Sequence, residues 1–307
     1  MTGMCERKKV ALKAEEFDIP MPWGKIAAKA WGDKIKTPVL VVHGLGDNAG
    51  TFDQLIPHLP ISYYYISVDL PSHGKSSYFP SHTFISGMDY FVALKMLVDH
   101  LKLKKCVLLG HSYGAQLLTI FAQLYPEMVI KLILLDSYYF FPHDTKKFTK
   151  VLRNSIKSIL NTDTKSSKSY KYDEIVGKIA KARAFGTPID KISAIALAER
   201  AVRPVGDNKY TFSADPRLRT IINPFFDFQN MCEMLNHYQF DFPCLFIYTE
   251  DTERMYTKFR TPILDVLEKM KNCMVVKVDG SHDVHTMQPK IVAPIITQFL
   301  INKNHKL

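Results

Sequence analysis

The chain of 307 residues is 47% hydrophobic and 23% charged, which excludes disordered, collagen-like and small disulfide-stapled classes. Its length suits one large α/β domain with room for an insertion. The net charge of +10 would admit nucleic acid or an anionic surface, but the lysines are spread along the chain and no nucleic-acid-binding module surrounds them, so no nucleic-acid partner is expected.

In chain order, the first nine residues are polar and lack the apolar core of a signal peptide. No apolar run reaches the roughly 18 residues of a membrane span, so a cytoplasmic chain without a transmembrane segment is expected. Residues 37–43 (T-P-V-L-V-V-H) predict a buried strand and 52–59 a short helix. A second strand is predicted over 63–70 and a helix over 86–101. Residues 105–110 (K-C-V-L-L-G) predict a strand, and 113–125 a helix that Pro126 ends. Residues 129–135 read as another strand. From 138 to 240 the pattern turns mainly helical and more charged, with amphipathic runs over 148–160, 172–185 and 189–202. The lysines between Lys146 and Lys171 are expected to form a solvated face. Strand–helix rhythm returns with strands over 244–249 and 274–278 and helices over 258–270 and 290–300.

This alternation predicts an α/β class with a mostly parallel central sheet flanked by helices. The core is expected over 1–137 and 241–307, with a helical cap insertion over 138–240. The five cysteines (Cys5, Cys106, Cys232, Cys244, Cys273) form no C-x-x-C pair and are odd in number, so neither a zinc site nor a disulfide framework is implied. The final tripeptide, His305-Lys306-Leu307, approximates the S-K-L peroxisome address with histidine in place of the small residue, which makes the peroxisome a second expected compartment.

The motif with most chemistry is Gly110-His111-Ser112-Tyr113-Gly114, a G-x-S-x-G turn between a predicted strand and a predicted helix. Small neighbours permit a sharp, strained turn, which lifts the Ser112 hydroxyl above the sheet at a helix N-terminus. A serine hydroxyl is a weak nucleophile and needs an adjacent base. The loop Gly280-Ser281-His282-Asp283-Val284-His285, between the last strand and the last helix, offers His282 as that base, with His285 as its rival. The acid that orients the base is expected at Asp251, after the strand that follows the insertion. Asp136, at the end of the strand after the nucleophile helix, is the alternative acid, and Glu250 a third choice. Backbone N–H groups of Leu45, in His43-Gly44-Leu45-Gly46, and of Tyr113 are expected to form the oxyanion hole. Asp69 and His73, in a tight turn after the second strand, are expected to be structural.

Together, His43-Gly44, the Asp69-x-x-x-His73-Gly74-x-Ser76 turn, Gly110-x-Ser112-x-Gly114 and Gly280-x-His282 resemble the α/β-hydrolase superfamily. The stretches 43–53, Arg203-Pro204-Val205 with Phe212-Ser213, and 280–289 are most similar to the serine hydrolase-like proteins within it. The resemblance covers nearly the whole chain and implies the α/β-hydrolase fold, a Ser112 nucleophile, a His282 base, an acid and ester hydrolysis. Relatives have G-x-x-D where this chain has Thr249 with Asp251 one residue early, so the acid remains open among the three carboxylates. No metal or organic cofactor is expected, because no phosphate loop or dinucleotide glycine pattern occurs. The serine excludes the epoxide hydrolase and dehalogenase chemistry that uses an aspartate at this position. The expected partner is a small or medium apolar ester, on the premise that some of Tyr138, Tyr139, Phe140, Phe141, Phe225, Phe226 and Phe228 line a pocket rather than pack the insertion onto the core. The rival class is a non-catalytic relative that binds a hydrophobic ligand or a partner.

Overall fold

The computed structural model describes residues 13–81, 83–140, 146, 148–160, 168–221, 228–237, 239–259 and 263–302. The expected peroxisomal tripeptide and the aromatics Phe141, Phe225 and Phe226 lie outside them. In chain order the strands are β1 (Glu15–Met21), β2 (Gly24–Trp31), β3 (Thr37–Val42), β4 (Tyr63–Val68), β5 (Cys106–His111), β6 (Val129–Leu135), β7 (Val202–Gly206), β8 (Lys209–Phe212), β9 (Cys244–Tyr248) and β10 (Cys273–Lys277). The helices are α1 (Gly87–His100), α2 (Tyr113–Leu124), α3 (Phe148–Leu160), α4 (Tyr172–Lys181), α5 (Lys191–Ala201), α6 (Phe228–His237), α7 (Glu250–Phe259), α8 (Ile263–Lys269), α9 (Val284–Met287) and α10 (Pro289–Ile301).

Eight strands form one sheet in the order β1-β2-β4-β3-β5-β6-β9-β10. From β4 to β10 all pairs are parallel, while β1 and β2 are antiparallel additions at one edge. The parallel strands are apolar at consecutive positions because both faces are covered. Val39, Val41, Val107, Leu109, Ile133 and Leu245 pack with Val292, Ile296 and Leu300 of α10 on one face. Leu40, Val42, Leu108, Leu132, Leu134 and Phe246 pack with α1, α2 and α8 on the other. Lys131 of β6 ties the last helix down: its Nζ donates to the carbonyls of Phe299 (2.7 Å), Leu300 (3.0 Å) and Asn302 (2.9 Å), groups left unpaired at a helix C-terminus. Cys106 and Cys244 are buried thiols in this core.

Four elements differ from the sequence expectation. The short helix expected over 52–59 is two 3₁₀ turns, Ala49–Phe52 and Ile56–His58. The β1–β2 hairpin was not expected. The helix expected over 258–270 is two helices, and the first begins already at Glu250. The segment between β6 and β9 contains α3 to α6, but also the β7–β8 hairpin. Its turn, Asp207-Asn208, has φ of 48° and 54°, the left-handed pair that a tight hairpin requires and that Asp and Asn adopt more readily than most residues.

Tyr138, Tyr139 and Phe140, at the start of this segment, are buried in the core against α1 and α2, with Phe140 edge-on to Phe91 (6.2 Å) and Tyr113 (5.6 Å). They pack the segment onto the sheet domain, so they give no support to an apolar pocket.

A buried ion pair fastens the same segment from its other side. Arg200 of α5 donates Nε and Nη2 to the Asp69 carboxylate (2.9–3.1 Å) and Nη1 to Glu16 at 2.8 Å. Asp69 also accepts the N–H groups of Ala49 and Lys75, each at 2.7 Å. A Cβ on Gly74 would lie 2.4 Å from that carboxylate, which explains the glycine of the Asp69–Ser76 turn. His73 supports the neighbouring loop by accepting the Gly46 N–H at Nε2 (3.1 Å), and His43 accepts the Leu70 N–H at 2.9 Å. Arg200→Met leaves Asp69 buried with its charge uncompensated. Equilibrium urea unfolding is expected to show a loss of about 3–5 kcal/mol.

Candidate active site

Ser112 lies between β5 and α2 with φ 51° and ψ −118°, a conformation that costs a non-glycine residue about 1–3 kcal/mol. The turn works only because its neighbours are glycines. A Cβ on Gly114 would lie 2.2 Å from the Val42 carbonyl oxygen, and one on Gly110 would lie 2.6 Å from the Ala115 nitrogen. Gly44 faces the turn from the loop after β3, where a Cβ would sit 3.0 Å from Ser112 Cβ and 3.5 Å from its Oγ. The loop carrying Leu45 is therefore held close to Ser112. Tyr113 opens α2, where N–H groups lack intrahelical acceptors.

His282 meets Ser112 from the loop after β10. Its Nε2 is 2.9 Å from Ser112 Oγ, and its Nδ1 is 2.6 Å from Asp136 Oδ2. A carboxylate only accepts, so Nδ1 carries the proton and Nε2 is left to accept from the serine hydroxyl. The first-choice acid, Asp251, is not the one against the ring. Its Oδ2 accepts the backbone N–H of His282 at 3.0 Å, and its Oδ1 accepts from Arg254 at 3.0 Å. The physical reason is the early start of α7, which places Asp251 in a helical first turn instead of on a loop that could reach the ring. Asp136 directly follows β6, the strand between β5 and β9, with a left-handed φ of 52°. Its carboxylate also accepts the N–H (2.6 Å) and hydroxyl (3.1 Å) of Thr249, and its carbonyl accepts from Thr252 at 2.9 Å. Glu250 is exposed and lies 3.9 Å from Arg254.

Around this core sit groups that sequence reasoning missed. Arg183, just after α4, donates Nη1 and Nη2 to Asp47 (2.6 and 2.9 Å) and Nε and Nη2 to Asp283 (Nε at 3.0 Å). Burial raises the pKa of both carboxyls, but the guanidinium outweighs it and holds them below the ordinary range. The same arginine thus joins the loop two residues beyond Leu45 to the loop one residue beyond His282. Phe185 packs edge-on against the His282 ring at 4.8 Å. The position of Asp283 beside His282 hinted at a role, but nothing in the sequence distinguishes Arg183 from the basic residues around it.

The rival His285 is fully buried, with Nε2 2.9 Å from Thr51 Oγ1 and its ring 3.9 Å from that of His111. His111 donates Nε2–H to the His282 carbonyl at 2.9 Å, which fixes the loop. Among the described residues no cluster of His, Cys, Asp or Glu is arranged to hold a metal ion.

Four buried histidines are held neutral. Burial, aided by His282, pushes His111 down to about 4, and burial with His43 nearby pushes His73 to about 3. Burial also lowers His43 and His285. In each case the unfolded chain takes up the proton first as pH falls. The stability these groups contribute is therefore complete above about pH 6.5 and is lost as the pH drops from there, toward about 4 for His111 and about 3 for His73. Urea unfolding at pH 7.5 and 5.5 is expected to show a decline steeper than the roughly 1.4 kcal/mol per pH unit that one histidine can supply. His285→Gln is expected to reduce that slope.

Comparisons with known proteins place the fold and the family. The α/β hydrolase fold family matches residues 37–162. A serine hydrolase-like protein of Danio rerio is 30% identical over 296 residues, covering 94% of this chain and 88% of its own. The human serine hydrolase-like protein 2 is 29% identical, covering 93% of each. A crystal structure of a hypothetical protein from Pseudomonas aeruginosa PAO1 superposes with a TM-score of 0.82 at 24% identity, over 94% of this chain and 100% of that one. On its fold and these relatives, the chain belongs to the α/β-hydrolase superfamily and, within it, to the serine hydrolase-like proteins.

Proposed function

We propose that the chain is a serine hydrolase that cleaves carboxylic esters through an acyl-enzyme on Ser112, with His282 as general base and Asp136 as the acid that orients it. The observation that carries this reading is the pair of hydrogen bonds linking Ser112 Oγ to His282 Nε2 and His282 Nδ1 to Asp136. In the first step Ser112 Oγ attacks the ester carbonyl while its proton passes to His282 Nε2. The oxyanion is stabilised by the N–H groups of Leu45 and Tyr113. Asp136 holds the Nδ1–H tautomer and stabilises the imidazolium. The alcohol then leaves with the proton from Nε2, and a water molecule, deprotonated by His282, releases the acid and restores Ser112.

In this scheme Asp251 positions the base through its backbone and takes no part in proton transfer. The segment between β6 and β9 acts as a cap, with Phe185 against His282 and Arg183 between the two loops.

Hydrolysis of 4-nitrophenyl acetate and butyrate tests the scheme. Ser112→Ala and Asp136→Asn are each expected to lower kcat by about 10⁴-fold. Asp251→Asn removes the charge from the acceptor of one backbone N–H and is expected to cost about tenfold or less. Collapse on Asp251→Asn with Asp136→Asn near wild type would return the acid to Asp251. No turnover across the series would favour a binding role for the fold.

A further inference from the structure

A cleft of about 1690 Å³ opens at the loop of Leu45, Gly46, Asp47 and Asn48 and is walled by α4, the β7–β8 hairpin and the turn after it. Its charges are unbalanced. Lys168, Lys178, Lys181, Arg203 and Arg219 line it as cations, with Arg183 at the Leu45 end. Among the described residues the acidic lining residues are Asp47, Glu174 and Asp215. Asp47 shares Arg183 with Asp283, and Asp215 accepts Nε and Nη2 of Arg217 at 2.6–3.1 Å. Among the described residues this leaves five cations facing Glu174 and the one negative charge of the Asp47–Asp283 pair that Arg183 does not balance.

Two of the cations are held in place by aromatic rings. The Arg203 guanidinium lies 4.6 Å from the Tyr78 ring centroid and donates Nη2 to the Ser213 carbonyl at 3.1 Å. The Lys178 ammonium lies 4.8 Å from the Tyr170 centroid. Tyr78 and Tyr170 line the same cleft. A concave surface carrying one sign of charge focuses its field on whatever enters and raises the local concentration of an opposite charge.

We propose that this cleft is an anion-recognising subsite of the active site, and that the ester substrates carry a carboxylate or phosphate on the part extending from the Leu45 loop along it. The inference rests on the esterase reading and narrows its substrate class. It also accounts for part of the net charge of +10, which the proton-transfer residues leave unexplained.

Matched ester pairs test the subsite from both sides of the scissile bond. On the acyl side, the 4-nitrophenyl monoester of glutarate is compared with 4-nitrophenyl valerate. On the alcohol side, 4-acetoxybenzoate is compared with its methyl ester, and phenyl phosphate is added as a competing anion. For at least one pair, kcat/KM for the anionic ester is expected to exceed that of its neutral partner by about tenfold at low salt, chiefly through KM. The ratio is expected to fall toward one in about 0.5 M NaCl, and in the double variant Lys178→Gln, Arg203→Gln at low salt. Inhibition by phenyl phosphate below the level of free glutarate would assign the subsite to phosphate, and the reverse order to carboxylate.

A ratio near one in wild type, or a ratio insensitive to both salt and the double variant, overturns the subsite while leaving the esterase reading intact. If no ester is turned over, binding of the glutarate monoester to Ser112→Ala decides. Salt-sensitive binding that the double variant abolishes supports the subsite without the chemistry. No such binding overturns both. Retention on phosphatidylserine vesicles without any preference for anionic esters would give the charge to a membrane surface and overturn the proposal.

Discussion

The turn at Ser112 is the constraint on which the site depends. At φ 51° and ψ −118° the backbone leaves β5 and enters α2 without a connecting loop, so the hydroxyl sits above the sheet at a helix start. That path brings Gly114 so close to the Val42 carbonyl oxygen that no side chain fits. It also lets the Gly44 loop approach Ser112 within van der Waals distance. The strain is local and is offset by the buried strands on either side, whose packing leaves the turn no cheaper path. The ring of His282 then meets a hydroxyl whose position is already determined by the backbone.

Two carboxylates divide the work around His282. Asp136 faces the ring, and Asp251 holds the peptide N–H that precedes it. The division follows from sheet order. Asp136 sits on a strand next to that of Ser112, whereas Asp251 lies beyond β9 in a helix that starts at once. Thr249 links the two positions by donating both its N–H and its hydroxyl to Asp136. Thr249 is thus part of what holds the Asp136 carboxylate in place.

The segment between β6 and β9 is joined to the sheet domain by two arginines of similar design. Arg200 spans Asp69 and Glu16, and Arg183 spans Asp47 and Asp283. Each arginine is largely buried and meets two carboxylates, the pairing in which a planar guanidinium is most useful. Arg183 is the more consequential for chemistry, because its partners lie beside the Leu45 and His282 loops and it also borders the basic cleft. Movement of that segment would be felt at both loops through one side chain.

The α/β class, the strained serine turn and the histidine loop were legible in the sequence because each is a local pattern. Apolar runs of strand length, a glycine-flanked serine and a glycine two residues before a histidine need no knowledge of distant neighbours. The β7–β8 hairpin was equally local, since Asp207-Asn208 is a turn signal, and was obscured by the amphipathic helices on either side. The choice between Asp136 and Asp251 was different in kind. Both follow strands and both reach His282, and only the start of α7 and the order of β5, β6 and β9 separate ring from backbone. Arg183 lay further still from sequence reasoning. An ion pair between residues 136 and 100 positions apart has no local signature, so its partners were decided only when the chain folded and buried three charges together.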